Sequence, residues 1–223
     1  MLRNLKISLE RDFVLKIERK CEMIVTWLAD VSALHEESKY RSCYEQVPDF
    51  RKEKADRLKL QEDKALSVGA WILYEMMKKE YSLQGNEMFN ISHSGDYVLC
   101  TIAIGEGAQV GCDLEKIASR ERFEAIAKRY FCPEECEQIY SVEDFYRFWV
   151  LKESFQKATR LGSKLAINTF SFAFTSEGSP FLQKQPYEKG YYFKEYKVEN
   201  LLYKIAVCSD VDAFAPEIKL VKV

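Results

Sequence analysis

Residues 97–115 read YVLCTIAIGEGAQVGCDLE, and this stretch decides the fold. Two apolar runs, Tyr97–Ile104 and Gln109–Leu114, flank a Gly-Glu-Gly segment at 105–107. Apolar runs rich in β-branched residues are typical of strands, and glycines between two such runs indicate a tight turn. The stretch therefore predicts a β-hairpin in the middle of the chain.

Outside this stretch, strand-like and helix-like segments follow one another in the same order twice. β-Branched apolar runs predict strands, and apolar residues spaced by three and four predict helices. The strands are expected at Met23–Ala29, Phe170–Thr175, Tyr191–Val198, Tyr203–Cys208 and Ile218–Val221. The helices are expected at His35–Gln46, Arg51–Lys59, Asp63–Tyr81, Glu121–Tyr130, Pro133–Tyr140 and Asp144–Arg160. The sequence thus predicts an α+β fold of two similar α/β subdomains, at 22–107 and 108–223, after an N-terminal extension at 1–21.

Composition favours a cytoplasmic globular protein. Of the 223 residues, 47% are apolar, and the formal net charge is −2. Such a weak overall charge gives no indication of nucleic-acid or anionic-lipid binding. No apolar run reaches the length of a membrane helix, and the N-terminus does not have the pattern of a signal peptide. The seven cysteines are an odd number without paired metal-ligand spacing, so reduced thiols are expected.

The run Val110–Glu115 carries two acidic residues at a spacing of two. On a strand, Asp113 and Glu115 point to the same side. Two close carboxylates repel each other unless a cation lies between them, and oxygen ligands of this kind suit Mg²⁺. The alternative is an ordinary exposed strand face with charged side chains.

The helical segment 149–157, WVLKESFQK, places Trp149, Glu153 and Lys157 on one face. The simple interpretation is a surface ion pair between Glu153 and Lys157. The surrounding aromatic residues instead suggest partial burial, and a partly buried carboxylate needs a partner such as a metal ion.

Two further segments have the chemistry of a phosphate site. Residues 90–95, NISHSG, combine small hydroxyls with one of only two histidines, although a turn stabilised by its own side chains is an equally simple interpretation. The helical segment 51–59 is basic, which usually means no more than a solvated face.

Taken together, the order and spacing of NISHSG, VGCDLE and WVLKESFQK resemble those of the Sfp-type 4′-phosphopantetheinyl transferases, across roughly residues 22–210. The resemblance implies that family's fold, with two subdomains in a pseudo-twofold arrangement, and a monomer. It implies an enzyme, a holo-[acyl-carrier-protein] synthase. Such an enzyme transfers the phosphopantetheine group of coenzyme A to a serine of an acyl or peptidyl carrier protein, requires Mg²⁺ and releases adenosine 3′,5′-bisphosphate.

The resemblance also implies roles for individual residues. The magnesium ligands are Asp113, Glu115 and Glu153. Glu153 is the candidate base, with Glu115 or a metal-bound water as alternatives, and Lys157 contacts the coenzyme A phosphates at the catalytic centre. The residues implied to bind coenzyme A are His93, Ser92, Lys152, Arg51, Lys54 and Ser67.

Three departures from the family pattern concern nucleotide binding or the acidic strand. Leu66 stands where many members have arginine, the Gly-Lys-Pro segment is absent around 81–85, and Cys112 replaces a branched aliphatic residue. One alternative function is therefore a non-catalytic homologue that binds coenzyme A or a carrier protein. Another is an unrelated Mg²⁺ phosphohydrolase.

A basic segment at 119–131 is a candidate surface for an acidic carrier protein. It offers Arg120, Arg122, Lys128 and Arg129 beside the two apolar anchors Phe123 and Phe131. The alternative is a solvated helix whose two phenylalanines belong to the core.

Overall fold

The computed structural model describes residues 21–105, 107–119 and 122–223. Most of the predicted extension at 1–21, the middle of the 105–107 segment, Arg120 and the predicted helix start at Glu121 lie outside the described residues. None of the described helices is both long and apolar enough to cross a membrane. The described cysteines form no disulfide.

The described residues form nine strands and six α-helices. The strands are β1 Met23–Asp30, β2 Met88–Ser94, β3 Tyr97–Ile104, β4 Val110–Lys116, β5 Ser171–Phe174, β6 Pro180–Lys184, β7 Tyr192–Tyr196, β8 Tyr203–Ser209 and β9 Lys219–Lys222. The helices are α1 Glu37–Gln46, α2 Asp49–Asp56, α3 Gln61–Glu80, α4 Phe123–Tyr130, α5 Pro133–Cys136 and α6 Val142–Ala158. This mixture confirms the α+β prediction, and β2 and β6 are strands that sequence patterns did not reveal.

The two main sheets repeat one strand order. The first sheet runs β2-β3-β1-β9 and the second runs β7-β8-β4. In each sheet the strand that comes first in the sequence pairs antiparallel with a later strand that lies in the interior of the sheet, β1 with β3 and β4 with β8. This order agrees with two similar subdomains, whose boundaries stay a prediction. The last strand, β9, was assigned to the second subdomain, but it pairs with β1 in the first sheet.

The predicted hairpin at 97–115 is wrong. Strand β3 pairs with β1 on one side and β2 on the other, so both of its edges are already occupied. The chain therefore passes from β3 into the second sheet, through Gly105 and Gly107, which both have positive φ. Glycine adopts this backbone conformation without the steric penalty that other residues meet.

Strand β3 is apolar along both faces because both faces are covered. Val98 and Ile102 pack in the cluster beneath α3, whereas Leu99 and Ala103 pack in a cluster shared with β4 and β8 of the second sheet. Each large aliphatic side chain buried in this way contributes about 1.5–3 kcal/mol. The two sheets are thus joined through their cores, which keeps β2 and β4 next to each other.

Helix α6 covers the other face of the second sheet and lies unusually close to β4. Its side of the core is aromatic, with Phe145, Phe148 and Phe155 fully buried. At Gly111 of β4, a Cβ atom would lie 2.2 Å from the backbone oxygen of Ser154. A glycine is required here because the backbone of the helix occupies the space of a side chain. The close crossing brings the C-terminal half of α6 next to the acidic strand.

Candidate functional site

A row of polar side chains joins β2 to β4, although the two strands belong to different sheets. Residues two apart on a strand share a face, and Asn90, Ser92 and Ser94 all point to β4 in this way. Ser92 Oγ donates to Asp113 Oδ1 at 2.8 Å, and Ser94 Oγ donates to Glu115 Oε2 at 2.9 Å. Asn90 Oδ1 accepts a hydrogen bond from the backbone N–H of Cys112, at 2.9 Å. The segment 90–94 is therefore a strand that orients the acidic residues of β4, and not a turn closed by its own side chains.

Asp113 is the most enclosed of the three predicted magnesium ligands. It is only 4% exposed, and its Oδ1 atom lies 2.6 Å from Lys157 Nζ and 2.8 Å from Ser92 Oγ. Its Oδ2 atom is buried and has no hydrogen-bond partner among the described residues. Burial raises the pKa of Asp113 in spite of the lysine. A buried carboxylate oxygen without a partner is costly, so this position suits a bound cation.

Glu153 and Lys157 lie one turn apart on α6 and face the same cavity. The pKa of Glu153 is raised, first by burial and then by the charge of Asp113. Burial lowers the pKa of Lys157, but the charge and hydrogen bond of Asp113, together with Cys112 and Glu153, outweigh it, so the net shift is upward and the ammonium stays charged. The cavity measures about 640 Å³, and its walls include Trp149, as the helical spacing predicts.

The three predicted magnesium ligands do not form a three-residue metal site in this structure. In residues 21–105, 107–119 and 122–223, no group of three or more His, Cys, Asp or Glu side chains is arranged to hold a metal ion. Mg²⁺ usually keeps several waters and takes only one or two protein carboxylates together with substrate phosphates. The unpartnered oxygen of Asp113 and the nearby charge of Glu153 fit such a two-carboxylate site. Glu115 is half-buried and bonded to Ser94.

Near Lys157, basic groups lie close enough to one another to act on His93, and the charges of Asp63 and Asp113 offset only part of their effect. Burial lowers the pKa of His93, and the positive charges of Lys157 and Lys54 lower it further, although His93 still touches solvent. Partial burial and the charge of Arg51 likewise lower the pKa of Lys54. Cations that depress each other's pKa in this way form a site prepared for an anion.

The basic segment of α2 continues this site toward α3. The guanidinium of Arg51 lies over the ring of Trp71, 4.6 Å from its centroid, and burial lowers the pKa of Arg51. Among the described residues, the Nε of Arg51, the Oγ of Ser67 and the Nε1 of Trp71 are buried and have no hydrogen-bond partner. Three donors without acceptors point to a ligand that supplies acceptors, as a phosphate or a nucleotide does.

The structure contradicts the predicted role of Lys152. This side chain is fully buried, and its Nζ lies 2.7 Å from Glu135 Oε2. It also donates to the backbone oxygens of Ile167 and Phe170 at 2.9 and 2.7 Å. Lys152 therefore cannot reach a coenzyme A phosphate in the cleft. Its neighbour Glu153 faces the cavity because successive residues of a helix are turned by about 100°.

In the predicted carrier surface at 119–131, the described basic residues Arg122, Lys128 and Arg129 are exposed, but the apolar anchors are lost. Phe131 is buried and Phe123 packs against the same core cluster, so the core alternative is correct for both. Lys128 and Arg129 are exposed, and Arg129 lines the cavity together with the exposed Tyr130.

Comparison with known proteins finds sequences that are similar to part of this chain. Residues 109–208 match the sequence model described as "ACPS: 4'-phosphopantetheinyl transferase superfamily". The 4′-phosphopantetheinyl transferase Sfp of Bacillus subtilis is 32% identical over 139 residues, which are 60% of this chain and 59% of that protein. The L-aminoadipate-semialdehyde dehydrogenase-phosphopantetheinyl transferase of Mus musculus is 39% identical over 99 residues, 39% of this chain and 31% of that protein. The chain thus matches about three fifths of the length of the Bacillus relative.

A solved structure is also similar over part of the chain. The crystal structure of Helicobacter pylori holo-[acyl-carrier-protein] synthase in complex with coenzyme A covers 44% of this chain and 96% of its own, with 19% identity and a TM-score of 0.36.

Proposed function

We propose, from the premise that residues 109–208 form a domain of the 4′-phosphopantetheinyl transferase superfamily, that the protein transfers phosphopantetheine from coenzyme A to a serine of an acyl or peptidyl carrier protein. The observation that carries the proposal is the arrangement around Lys157. Its ammonium contacts Asp113, shares a cavity with Glu153 and lies near His93. Acidic groups for a metal and basic groups for a diphosphate thus meet at one point.

The basic groups account for the binding of coenzyme A. The pyrophosphate would lie between Lys157 and His93, where its negative charge relieves the mutual repulsion of the cations. The nucleotide end would reach the exposed Lys54 and the buried donors of Arg51 and Ser67, which need acceptors. A bound Mg²⁺, held by Asp113 and Glu153 with Glu115 adjacent, would neutralise charge on the phosphoryl oxygens.

In the transfer step, the carrier serine oxygen bonds to the β-phosphorus of coenzyme A. The bond from that phosphorus to the bridging oxygen breaks, and adenosine 3′,5′-bisphosphate leaves with the electron pair. Glu153 is the candidate acceptor for the serine proton because its carboxylate faces the cavity beside Lys157, with Glu115 or a metal-bound water as alternatives. Lys157 stabilises the negative charge that develops on the phosphoryl oxygens.

The same proposal covers the carrier protein, the oligomeric state and the cellular location. Exposed Lys128 and Arg129 beside the cavity suit an acidic carrier protein. A monomer is proposed from the family resemblance, and a cytoplasmic location from the free thiols.

Incubation with coenzyme A, Mg²⁺ and several apo carrier proteins tests the function. We expect a carrier to gain the mass of one phosphopantetheine group, and we expect chelation with EDTA to abolish this gain and added Mg²⁺ to restore it. Both effects are read by mass spectrometry of the intact carrier. Transfer that persists in EDTA would refute the requirement for a metal ion. Binding of coenzyme A without transfer to any carrier would favour the non-catalytic homologue, and nucleotide release without a carrier would favour a phosphohydrolase.

Arg51→Met tests the nucleotide end of the site. We expect the KM for coenzyme A to rise about tenfold to hundredfold with little change in kcat, because a hydrogen bond from a charged donor is worth about 1.5–3 kcal/mol. Lys52→Met is the matched control on the same helix, since Lys52 faces Tyr44 and Glu45 instead. Its KM is expected to stay within about twofold, as for an exposed ion pair. Equal effects of the two variants would exclude a specific role for Arg51.

A further inference from the structure

The buried ion pair between Lys152 and Glu135 has no part in the chemistry above, yet it lies directly behind the cavity. Both side chains are fully buried. A buried ion pair is weak evidence for a role in stability, because apolar residues of similar volume often stabilise a fold as well or better. The groups that the pair contacts are therefore more informative than the pair itself.

Every contact of the pair leads to the segment 165–172 or to the elements beside it. Lys152 binds the backbone oxygens of Ile167 and Phe170. Glu135 accepts the backbone N–H of Phe172 with Oε1 and that of Cys132 with Oε2, both at 2.9 Å. The pair thus links α5 and α6 to a segment that has one short helical turn before it enters β5.

Two other side chains hold the same segment. Gln156 of α6 donates to the backbone oxygen of Leu165. The thiol of Cys132 lies 3.3 Å from the backbone oxygens of Asn168 and Phe170. Side chains therefore take the place of the ladder hydrogen bonds that would fix a regular element.

Part of the segment held in this way, residues 166–168, forms a wall of the cavity that Glu153 also lines. Ala166, Ile167 and Asn168 line this cavity together with Trp149, Glu153 and Lys157. Lys152 and Glu153 are neighbours on α6, so one residue anchors the wall while the next points at it. The spacing between the wall and Glu153 depends on the bonds of Lys152.

We propose that Lys152 and Glu135 are positioning residues that fix the wall 165–172 against Glu153, so that the group entering the cavity is aligned for transfer. The proposal rests on the proposed transferase function. It assigns the pair to alignment during the reaction and not to nucleotide binding, since none of its contacts reaches Arg51, Lys54 or His93.

Two variants separate positioning from stability. Glu135→Gln leaves the lysine charge buried without its counter-charge, so both the melting temperature and kcat are expected to fall, kcat by about tenfold or more. The double variant Glu135→Leu/Lys152→Met removes both charges. We expect it to recover part of the melting temperature that Glu135→Gln loses, because no unpaired charge stays buried. It is not expected to recover kcat, because the carbonyls of the wall remain without their donor. Binding of adenosine 3′,5′-bisphosphate is expected to be unchanged in both variants.

Glu195→Gln is the matched control. Glu195 of β7 pairs with Arg147, which lies on the same helix as Lys152 but away from the cavity. It is expected to lower the melting temperature while kcat stays at the wild-type value. A double variant that recovers kcat together with stability would overturn the proposal, as would failure of both pair variants to fold, since the pair would then serve folding alone.

Hydrogen exchange tests the anchoring of the wall independently of the proposed transferase function. The amides of 165–172 are expected to exchange faster in both pair variants than in the wild type and in Glu195→Gln. If the wild type transfers nothing, the proposed function fails while the exchange data still test the anchoring of the wall. If the wild type transfers and the pair variants keep its kcat, the positioning role fails alone.

Discussion

Asp113→Asn is expected to reduce the rate of phosphopantetheine transfer at least about 10²–10³-fold, because a metal ligand that neutralises phosphoryl charge supplies several kcal/mol. Asparagine keeps the shape of the side chain and can still accept the hydrogen bond from Ser92. It removes the charge that holds Lys157 and the second anionic oxygen that suits a cation. The measurement is the rate of carrier mass gain at saturating coenzyme A.

The fold is expected to survive this substitution, with a change in unfolding free energy within about 1–2 kcal/mol. Burial holds the folded-state pKa of Asp113 above its ordinary value, so ionisation of this carboxylate lowers stability as pH rises through that pKa. Asparagine has no such charge, and this offsets the loss of the contact with Lys157. Alanine would be a poorer choice, because it removes the hydrogen-bond acceptor of Ser92 as well.

Asp210→Asn is the matched control. Asp210 is also a buried aspartate paired with a lysine, Lys189, and it accepts the backbone N–H of Gln109. It lies at the end of β8, away from the cavity, so the control is expected to lose some stability and retain transfer. Transfer by Asp113→Asn at the rate of this control would reject the assignment of Asp113.

Local periodicity was sufficient to predict the parts of the site that lie on one element. A spacing of two placed Asp113 and Glu115 on one side of a strand, and a spacing of four placed Glu153 and Lys157 on one face of a helix. Local patterns could not show that Lys152 is buried. Its environment is set by Glu135 and by the carbonyls of 167 and 170, which are distant in sequence.

Pairing between strands that are distant in sequence explains the other wrong predictions. The hairpin at 97–115 was wrong because β1 and β2 occupy both edges of β3, and nothing between residues 97 and 115 encodes that competition. The strand nature of 88–94 was hidden because its alternating polar residues suggested a turn. Asn90, Ser92 and Ser94 alternate with period two, which is a strand signal when the facing partner is a polar strand such as β4.

A substitution at the close crossing of α6 over β4 is expected to have the largest effect on stability. A Cβ atom at residue 111 would lie 2.2 Å from the oxygen of Ser154, 2.3 Å from the nitrogen of Ala158 and 2.8 Å from the carbonyl carbon of Lys157. All three are backbone atoms of one helix, so no side-chain rotation can relieve the contact. Gly111→Ala must instead move the helix or the strand.

We therefore expect Gly111→Ala to lower the free energy of unfolding by about 3 kcal/mol or more, at the upper end of the range for overpacked cores. Transfer should be lost even at temperatures where the variant is folded, because the moved helix carries Glu153 and Lys157 away from Asp113. Gly190→Ala is the control, since a Cβ atom at residue 190 meets nothing within 4 Å. Its effect should stay within about 0.5 kcal/mol. Denaturant unfolding of the two variants measures the difference, and a Gly111→Ala protein as stable as Gly190→Ala would show that the close crossing does not set the geometry of the site.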